Sequence, residues 1–178
     1  MSTKKNRFIE YPSIFSKVKN RIYAAIFGQV SLLRRLGGNV GNNCRFVGHL
    51  DFGSEPYLIS IGDNVSITSS SFVNHDGGVW VFRDERPSID VVKPITIMNN
   101  VFIGSNCIIM PGVTIHSNVV IGAGAVVTKD LDSDAVYAGI PAKKIKSLEQ
   151  YRKGVLANNL DTKGIKSKRS VLEKHFRV

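Results

Sequence analysis

Cysteine is scarce in this chain, and no long apolar run occurs in its sequence. Two cysteines among 178 residues are too few for a disulfide framework. The apolar segment 22–27 is far shorter than the roughly 20 residues that a membrane-spanning helix needs. It also lacks the long apolar core and the small-residue cleavage site of a secretory signal. We therefore expect a cytoplasmic protein, with the inner face of the membrane as a second location.

Acidic residues are few at both ends of the chain, and the formal net charge is +10. Residues 1–36 hold eight Lys or Arg and one acid, and residues 141–178 hold eleven and three. Residues 37–140 hold five Lys or Arg against ten acids. Nucleic-acid-binding proteins usually carry their positive charge on the folded recognition surface. Because the body here is mildly acidic, we expect no nucleic-acid partner and assign the basic ends to solvent, anionic phosphates or an acidic membrane surface.

A six-residue repeat organises the middle of the sequence. From Ile97 the chain divides into IMNNVF, IGSNCI, IMPGVT, IHSNVV, IGAGAV and VTKDLD. Each block opens with Ile or Val, its fifth residue is aliphatic or compact, and Gly, Asn, Asp or Pro crowds the positions between. The same phase recurs earlier, at Ile61, Ile67 and Val73 and more weakly at Val40, Phe46 and Phe52.

A period of six fits neither an α-helix nor an amphipathic strand. It is typical of a triangular solenoid, in which three six-residue sides form one coil. Each side is a short strand with one large aliphatic residue inward, and turn-forming residues occupy the corners. We therefore predict an all-β solenoid in which the opening residue of every block points inward. Cys44 and Cys107 fall on the small inward fifth position, which predicts core thiols rather than nucleophiles.

The repeat breaks between His75 and Pro94, where DGGVWVFRDERPSIDVVK has no six-residue phase. This segment must leave the solenoid, and residues 76–94 are the predicted loop. A histidine at the base of an insertion is accessible and can titrate near neutral pH. Transfer of an acyl group to a hydroxyl needs such a base, so His75 is the predicted catalytic residue, with capping of the turn as the alternative. His49, in an irregular early coil, is the rival base.

The predicted loop concentrates aromatic and charged residues. Trp80, Arg83 and Asp84 are the predicted contacts to a polyhydroxylated sugar acceptor. A subunit interface explains the same composition equally well. An acid is also needed to orient the imidazole of His75, and the sequence leaves three open: Asp76, Asp84 and Glu85.

The segments IGSNCIIMPGVTIHSNVVIGAGAVVTKD and AGIPAKKIK resemble the hexapeptide-repeat acyltransferases. The resemblance covers about residues 58–147 and is closest to maltose and galactoside acetyltransferases and to O-acetyltransferases of bacterial surface polysaccharides. It implies a left-handed parallel β-helix and a homotrimer that binds acetyl-CoA in a groove between adjacent subunits. In such enzymes a histidine near a projecting loop is the base, and it matches His75 here.

The same resemblance implies which residues contact acetyl-CoA. They are the backbone of Ser105 near the thioester, Ala123 beside the pantetheine arm, Thr128 and Lys129 towards the adenine, and Lys146 at a phosphate. Phe102 departs from the family, which often has Trp at that position. A structurally similar group serves as zinc carbonic anhydrases and needs three converging histidines. No such close spacing links the histidines of this chain, so no metal is predicted.

The ends complete the predicted architecture. Residues 1–36 are a predicted helical cap on the first coil, and their basic amphipathic character also suits an anionic membrane. The apolar residues at helical intervals are Ile14, Phe15, Val18, Ile22, Ile26, Leu32 and Leu33. Residues 37–146 are the predicted β-helix domain. Residues 147–178 are predicted as a polar basic tail whose final helix packs back near the cofactor groove.

The predicted function is that of an acetyl-CoA-dependent O-acetyltransferase acting on a saccharide hydroxyl. A precursor of a bacterial surface polysaccharide, such as O-antigen, capsule or exopolysaccharide, is the expected acceptor. Three alternatives stay open at this point. They are N-acetylation of a nucleotide-linked amino sugar, acetylation of a streptogramin-type antibiotic, and a non-catalytic solenoid scaffold.

Overall fold

Short strands separated by corners make up the body of the protein in the computed structural model, which describes residues 14–177. The strands are β1 (Asn39–Val40), β2 (Arg45–Val47), β3 (Ile59–Ile61), β4 (Val65–Thr68), β5 (Ser71–Phe72), β6 (Ile95–Ile97), β7 (Val101–Ile103), β8 (Ile108–Ile109), β9 (Thr114–Ile115), β10 (Val119–Ile121), β11 (Val126–Val127), β12 (Ala135–Ala138) and β13 (Lys143–Ser147). The α-helices are α1 (Ile14–Arg35), α2 (Leu148–Ala157) and α3 (Lys168–Phe176). Two 3-10 helices cover Pro56–Leu58 and Gly77–Phe82.

The strands form three sheets, which the chain visits in rotation. Their orders are β1-β3-β6-β9 (sheet A), β13-β12-β10-β7-β4-β2 (sheet B) and β11-β8-β5 (sheet C). Neighbouring strands are parallel except β12 and β13. Val101 pairs with Val119, so equivalent residues of adjacent coils lie 18 positions apart. One regular turn of the chain therefore consists of three six-residue sides, as the repeat predicts.

The residue that opens each repeat points into the coil. The predicted inward set is at most 1% exposed and consists of Ile97, Ile103, Ile109, Ile115 and Ile121. The fifth position of each block is buried as well, at Val101, Cys107, Val113, Val119, Ala125 and Leu131. The predicted register of the repeat is thus confirmed. Stacking these side chains from coil to coil produces one continuous apolar core.

The two cysteine side chains are buried to different degrees in this core. Cys107 is buried, and its Sγ donates to the carbonyl oxygen of Gly122 at 3.2 Å. Burial raises the pKa of this thiol, so it stays protonated at neutral pH and is no nucleophile. Cys44 is half-buried on the first coil, where its Sγ donates to the carbonyl oxygen of Gly62 at 3.2 Å.

Asparagines are stacked along the corner between sheets A and B. Each Nδ2 donates to the side-chain oxygen on the next coil, in the order Asn43, Asn64, Asn100, Asn118 and Asp134, at 2.8–2.9 Å. All five have φ between 52° and 62°. Asparagine and aspartate tolerate this left-handed conformation better than most residues. Asparagine and aspartate are therefore favoured at this corner for two reasons, the backbone angle and the ladder of hydrogen bonds.

Asn100→Ala should lower the free energy of unfolding by about 2 kcal/mol, because it removes two ladder hydrogen bonds and places alanine, which tolerates positive φ less well than asparagine, at this corner. Asn100→Gly is the matched control, since glycine accepts the backbone angle and loses only the hydrogen bonds. Urea unfolding at one fixed protein concentration measures both. Equal midpoints for wild type and both variants would contradict the role of the ladder.

After β5 the chain leaves the coil and returns at β6. Val65 pairs with Val101, 36 positions later, so 18 additional residues separate these two coils. The two ends of the inserted segment pair with each other. The N–H of Asp76 donates to the carbonyl oxygen of Val91, and that of Lys93 donates to Asn74, both at 2.8 Å. We call these antiparallel ends the neck of the loop, and His75 lies in it, bridged to Val92.

Helix α1 is kinked at Gly28, whose φ of 82° and ψ of 163° are not helical. After the kink, Leu32 and Leu33 are buried against the first coil and cap it. The prediction that the apolar residues before the kink also cap the coil is wrong. Phe15, Ile22 and Ile26 are 57–88% exposed, because this part of the helix turns them away from the body. Val18 is 51% exposed in the concavity between the helix and the first coil. Among the described residues, no helix is long and apolar enough to cross a bilayer.

The C-terminal region contains more structure than the predicted polar stretch. β13 pairs antiparallel with β12, and α2 follows it directly. Ser147 begins α2 with a capping box, since its side chain accepts from the N–H of Gln150 while the Gln150 side chain accepts from the N–H of Ser147. The Ser-x-x-Gln spacing was the sequence signal for this helix. The predicted final helix is present as α3, and none of its residues is buried.

Candidate functional site

The neck of the loop places His75 at the corner that follows sheet C. The antiparallel pairing between the two ends of the insertion fixes the backbone of His75. Both ends continue directly into the coil. The side chain is 42% exposed, so the imidazole is open to a ligand although its backbone is held. A titratable side chain on a loop base that a rigid scaffold supports is a common location for catalysis.

An acid that the sequence analysis did not consider lies beside this histidine. Glu55 Oε2 is 3.2 Å from His75 Nδ1, and the carboxylate is 20% exposed. Glu55 precedes the 3-10 helix Pro56–Leu58 one coil earlier, 20 positions before His75. Asp51 and Ser71 are bridged with the same separation. This spacing was the available signal, but it departs from the regular 18 and the six-residue phase therefore concealed it.

The prediction that Asp76, Asp84 or Glu85 orients the imidazole of His75 is wrong. Asp76 Oδ1 accepts from the N–H of Gly78 at 2.9 Å and caps the 3-10 helix Gly77–Phe82. Asp84 and Glu85 are exposed beyond the end of that helix. Among the described residues, the hydrogen-bonding partner of the imidazole is Glu55.

A shallow pocket of about 240 Å³ adjoins the neck. Its lining combines the two ends of the insertion with residues from the next two coils, namely Asp76, Val91, Lys93, Met110, Pro111 and Thr128. Predicted residue Thr128 thus lies in the same pocket as the residue that follows His75. Lys93 was missed by the sequence analysis, and its side chain passes over Gly112, where an added Cβ would be 2.8 Å from Lys93 Cδ.

The predicted acceptor residues lie farther along the loop. Trp80 is 72% exposed at the 3-10 helix, and the guanidinium carbon of Arg83 is 5.7 Å from the centre of its indole ring. At this distance the cation interacts with the aromatic face. Asp84 is exposed next to Arg83. Trp80, Arg83 and Asp84 stay predicted contacts, and the exposed indole presents the kind of surface that stacks on a sugar ring or a protein.

Four of the five residues expected to hold acetyl-CoA lie along two edges of sheet C. Ser105 and Ala123 are neighbours on adjacent coils at the corner before the sheet, where the N–H of Gly124 donates to the Ser105 carbonyl oxygen at 2.8 Å. Thr128 and Lys129 are exposed at the corner after the sheet. Lys146 is exposed on β13, opposite Val136 of sheet B. Four of the five residues therefore flank sheet C, whereas Lys146 belongs to sheet B, and the five do not form a single cluster.

The remaining histidines lie elsewhere. His49 is exposed and lines a concavity beneath α1, whereas His116 is half-buried at a corner between sheets A and B. His175 is on α3, with its ring centre 4.7 Å from that of Phe176. Within residues 14–177 no three His, Cys, Asp or Glu side chains come together as a metal site requires. Neither His49 nor His116 has an acid partner of the kind His75 has within the described chain.

A three-sided parallel coil thus holds an imidazole–carboxylate pair at the base of a loop, open to a ligand. The family model described as bacterial transferase hexapeptide (six repeats) matches residues 94–129. Protein CapG of Staphylococcus aureus is 58% identical over 129 residues, which cover 71% of this chain and 75% of CapG. The chain therefore belongs to the hexapeptide-repeat transferase family and is an acyltransferase.

Solved structures agree with this assignment. A maltose O-acetyltransferase from Clostridium difficile 630 is 28% identical with a TM-score of 0.57, and the match covers 75% of this chain and 84% of that one. A galactoside acetyltransferase in complex with coenzyme A is 25% identical with a TM-score of 0.56, and the match covers 82% and 88%. Both similarities cover three quarters or more of this chain.

Proposed function

We propose that this protein is an acetyl-CoA-dependent O-acetyltransferase that acts on a saccharide hydroxyl. The observation that carries the proposal is the pairing of His75 with Glu55 beside the pocket at the neck of the loop. The solved relatives named as maltose and galactoside acetyltransferases support a saccharide acceptor. A precursor of a bacterial surface polysaccharide is the proposed acceptor class, and the acetyl group is transferred directly without an acyl-enzyme.

His75 acts as the general base in this proposal. Its Nδ1 faces Glu55 Oε2 at 3.2 Å, and a proton on Nδ1 leaves the lone pair on Nε2. Nε2 removes the proton of the acceptor hydroxyl as the oxygen attacks the acyl carbon. The Glu55 carboxylate holds the ring in the productive tautomer and stabilises the imidazolium that forms. Because Cys107 is buried, its thiol does not compete with this route as a nucleophile.

The side of the coil formed by sheet C fits the long, narrow shape of coenzyme A. At its first edge, Ala123 and Gly124 are exposed, and an added Cβ at Gly124 would meet nothing within 4 Å. Lys129 and Lys146 supply exposed cations for the phosphates. In the proposal Ser105 and Ala123 hold the pantetheine end, and Thr128, Lys129 and Lys146 hold the nucleotide end. When bound, acetyl-CoA supplies an activated acetyl thioester.

Release of free CoA thiol from acetyl-CoA in the presence of candidate saccharides tests the proposed function. We expect thiol release to depend on both substrates, and the acetylated product to lose its acetyl group in mild alkali, since esters are labile there and amides are stable. Alkali-stable acetyl groups would contradict O-acetylation and favour an amino-sugar acceptor. Failure to bind acetyl-CoA at all would remove the proposal.

Glu55→Gln should lower the turnover number by roughly tenfold to a thousandfold, because the amide neither stabilises the imidazolium nor enforces the productive tautomer. Glu85→Gln is the matched control, since this acid is exposed on the loop and should change turnover little. Steady-state kinetics with a competent acceptor, repeated across pH, distinguish a shift in the pH profile from a change in KM. A normal Glu55→Gln enzyme would exclude Glu55 as the positioning residue.

The coils are proposed to be left-handed and to assemble as a cyclic homotrimer with acetyl-CoA between subunits. Phe102 of β7 supports an interface on the outside of the coil, since its side chain is 40% exposed, as do the exposed loop residues Val81 and Phe82. Light scattering at micromolar concentration should give three times the mass of the chain. A monomer under these conditions would contradict the trimer and any binding site between subunits.

A further inference from the structure

The first segment of α1, residues 14–27, presents an unpartnered apolar face. Phe15, Val18, Ile22 and Ile26 follow each other at intervals of three or four residues, which aligns them on one side of a helix. Their exposed fractions are 88%, 51%, 57% and 66%. We call these four residues the outer stripe. None of its residues lines the pocket at the neck of the loop.

The opposite face of the segment turns towards the body and is polar or small. Lys17, Asn20, Arg21 and Ala24 line a concavity of about 890 Å³ between α1 and the first coil, and Val18 of the outer stripe lines it as well. One contact across the kink helps to fix this orientation. The guanidinium carbon of Arg35 lies 4.3 Å from the centre of the Tyr23 ring, which in turn packs at 4.7 Å on Phe27. The outward direction of the stripe is therefore built into the fold.

The charge of α1 is of one sign. Its 22 residues include five Lys or Arg and no Asp or Glu. Arg34 donates to the carbonyl oxygens of Val40 and Gly41 and is held by the body. Within residues 14–177, Lys17, Lys19 and Arg21 form no ion pair, and they lie on the same segment as the outer stripe. A helix with an exposed apolar stripe and exposed, unpaired cations on its other faces complements a surface that is apolar inside and anionic outside.

We propose that the first segment of α1 lies on the surface of an anionic lipid bilayer and inserts the outer stripe between the headgroups. The bilayer satisfies both halves of the pattern, because acyl chains accept the stripe and acidic headgroups neutralise the cations. A second copy of this helix is the less suitable partner, since two such segments would bring cations together. The enzyme is thereby held at a membrane while the opposite end of the coil stays in water.

Co-sedimentation of the full chain with vesicles tests this proposal without any reference to activity. Vesicles of phosphatidylcholine with roughly one-third phosphatidylglycerol should bind the protein, and vesicles of phosphatidylcholine alone should bind it at least about tenfold less. Binding should weaken as salt is raised, since the headgroup attraction is screened. Equal binding to both vesicle types, or none to the anionic ones, overturns the proposal.

The double variant Ile22→Asp with Ile26→Asp should lower vesicle binding by about tenfold or more, because it places acids in the stripe. Val155→Asp on α2 is the matched control, since Val155 is a 48% exposed helical residue outside α1, and it should bind as wild type does. If the double variant misfolds by circular dichroism, Lys17→Gln with Lys19→Gln replaces it with the same expectation. Unchanged vesicle binding overturns the proposal, as does a fall in oligomer mass in the variants, which would assign the stripe to a second chain.

Discussion

His75→Ala should reduce the turnover of acetyl-CoA with a competent acceptor by about a hundredfold to ten-thousandfold. The imidazole that pairs with Glu55 at 3.2 Å is the proposed acceptor of the hydroxyl proton, and alanine leaves that proton without a base. The dissociation constant of CoA should hardly change, because the base touches the acceptor and not the nucleotide. Turnover is measured by thiol release, and CoA binding by calorimetry on the same preparations.

Two further variants separate chemistry from binding. Lys146→Ala should weaken CoA binding through one lost phosphate contact, while turnover at saturating acetyl-CoA stays near normal. His49→Ala should keep full activity, since His49 lines the concavity beneath α1 and not the pocket at the neck. If His75→Ala keeps full activity and His49→Ala loses it, the site has been assigned to the wrong break in the repeat. Activity in both would remove the histidine base from the mechanism.

Ile109→Ala should lower the free energy of unfolding by about 2–5 kcal/mol, the range for deleting a fully buried aliphatic side chain. Ile109 is 0% exposed and stacks between Phe72 and Val127 of the adjacent coils in sheet C. The lining of a continuous core has few ways to collapse into the space left behind. Denaturant unfolding at a fixed protein concentration measures the effect, since association also contributes to stability.

Ile108→Ala is the matched control for this substitution. Ile108 is the preceding residue of the same strand, points outward and is 37% exposed, so its truncation should cost less than about 1 kcal/mol. A strand alternates its side chains between the two faces of a sheet, and the comparison therefore tests the inward register directly. Equal losses for the two variants would contradict the assignment of Ile109 to the core.

The sequence was informative where one short period repeats without interruption. Six blocks from Ile97 placed every opening residue and every fifth residue inside, and the break after His75 predicted that the chain leaves the coil there. The sequence was misleading where one pattern is compatible with two arrangements of the same helix. The apolar residues of α1 at helical spacing predict an amphipathic helix, but the period does not say towards what the apolar face turns. Phe15 and Ile22 are exposed because the helix bends at Gly28 and presents its other face to the coil.

The six-residue period by itself determined the coil, its register and its corners, because each of these depends on residues that are close in the chain or one regular coil apart. Only the tertiary structure paired His75 with Glu55, since the coil between them is longer than the regular one and hides their alignment. It also brought Lys93 over Gly112, because the neck closes an 18-residue insertion onto the next coil. Contacts of this kind depend on how irregular segments superpose, and that is decided by packing across coils rather than by any local pattern.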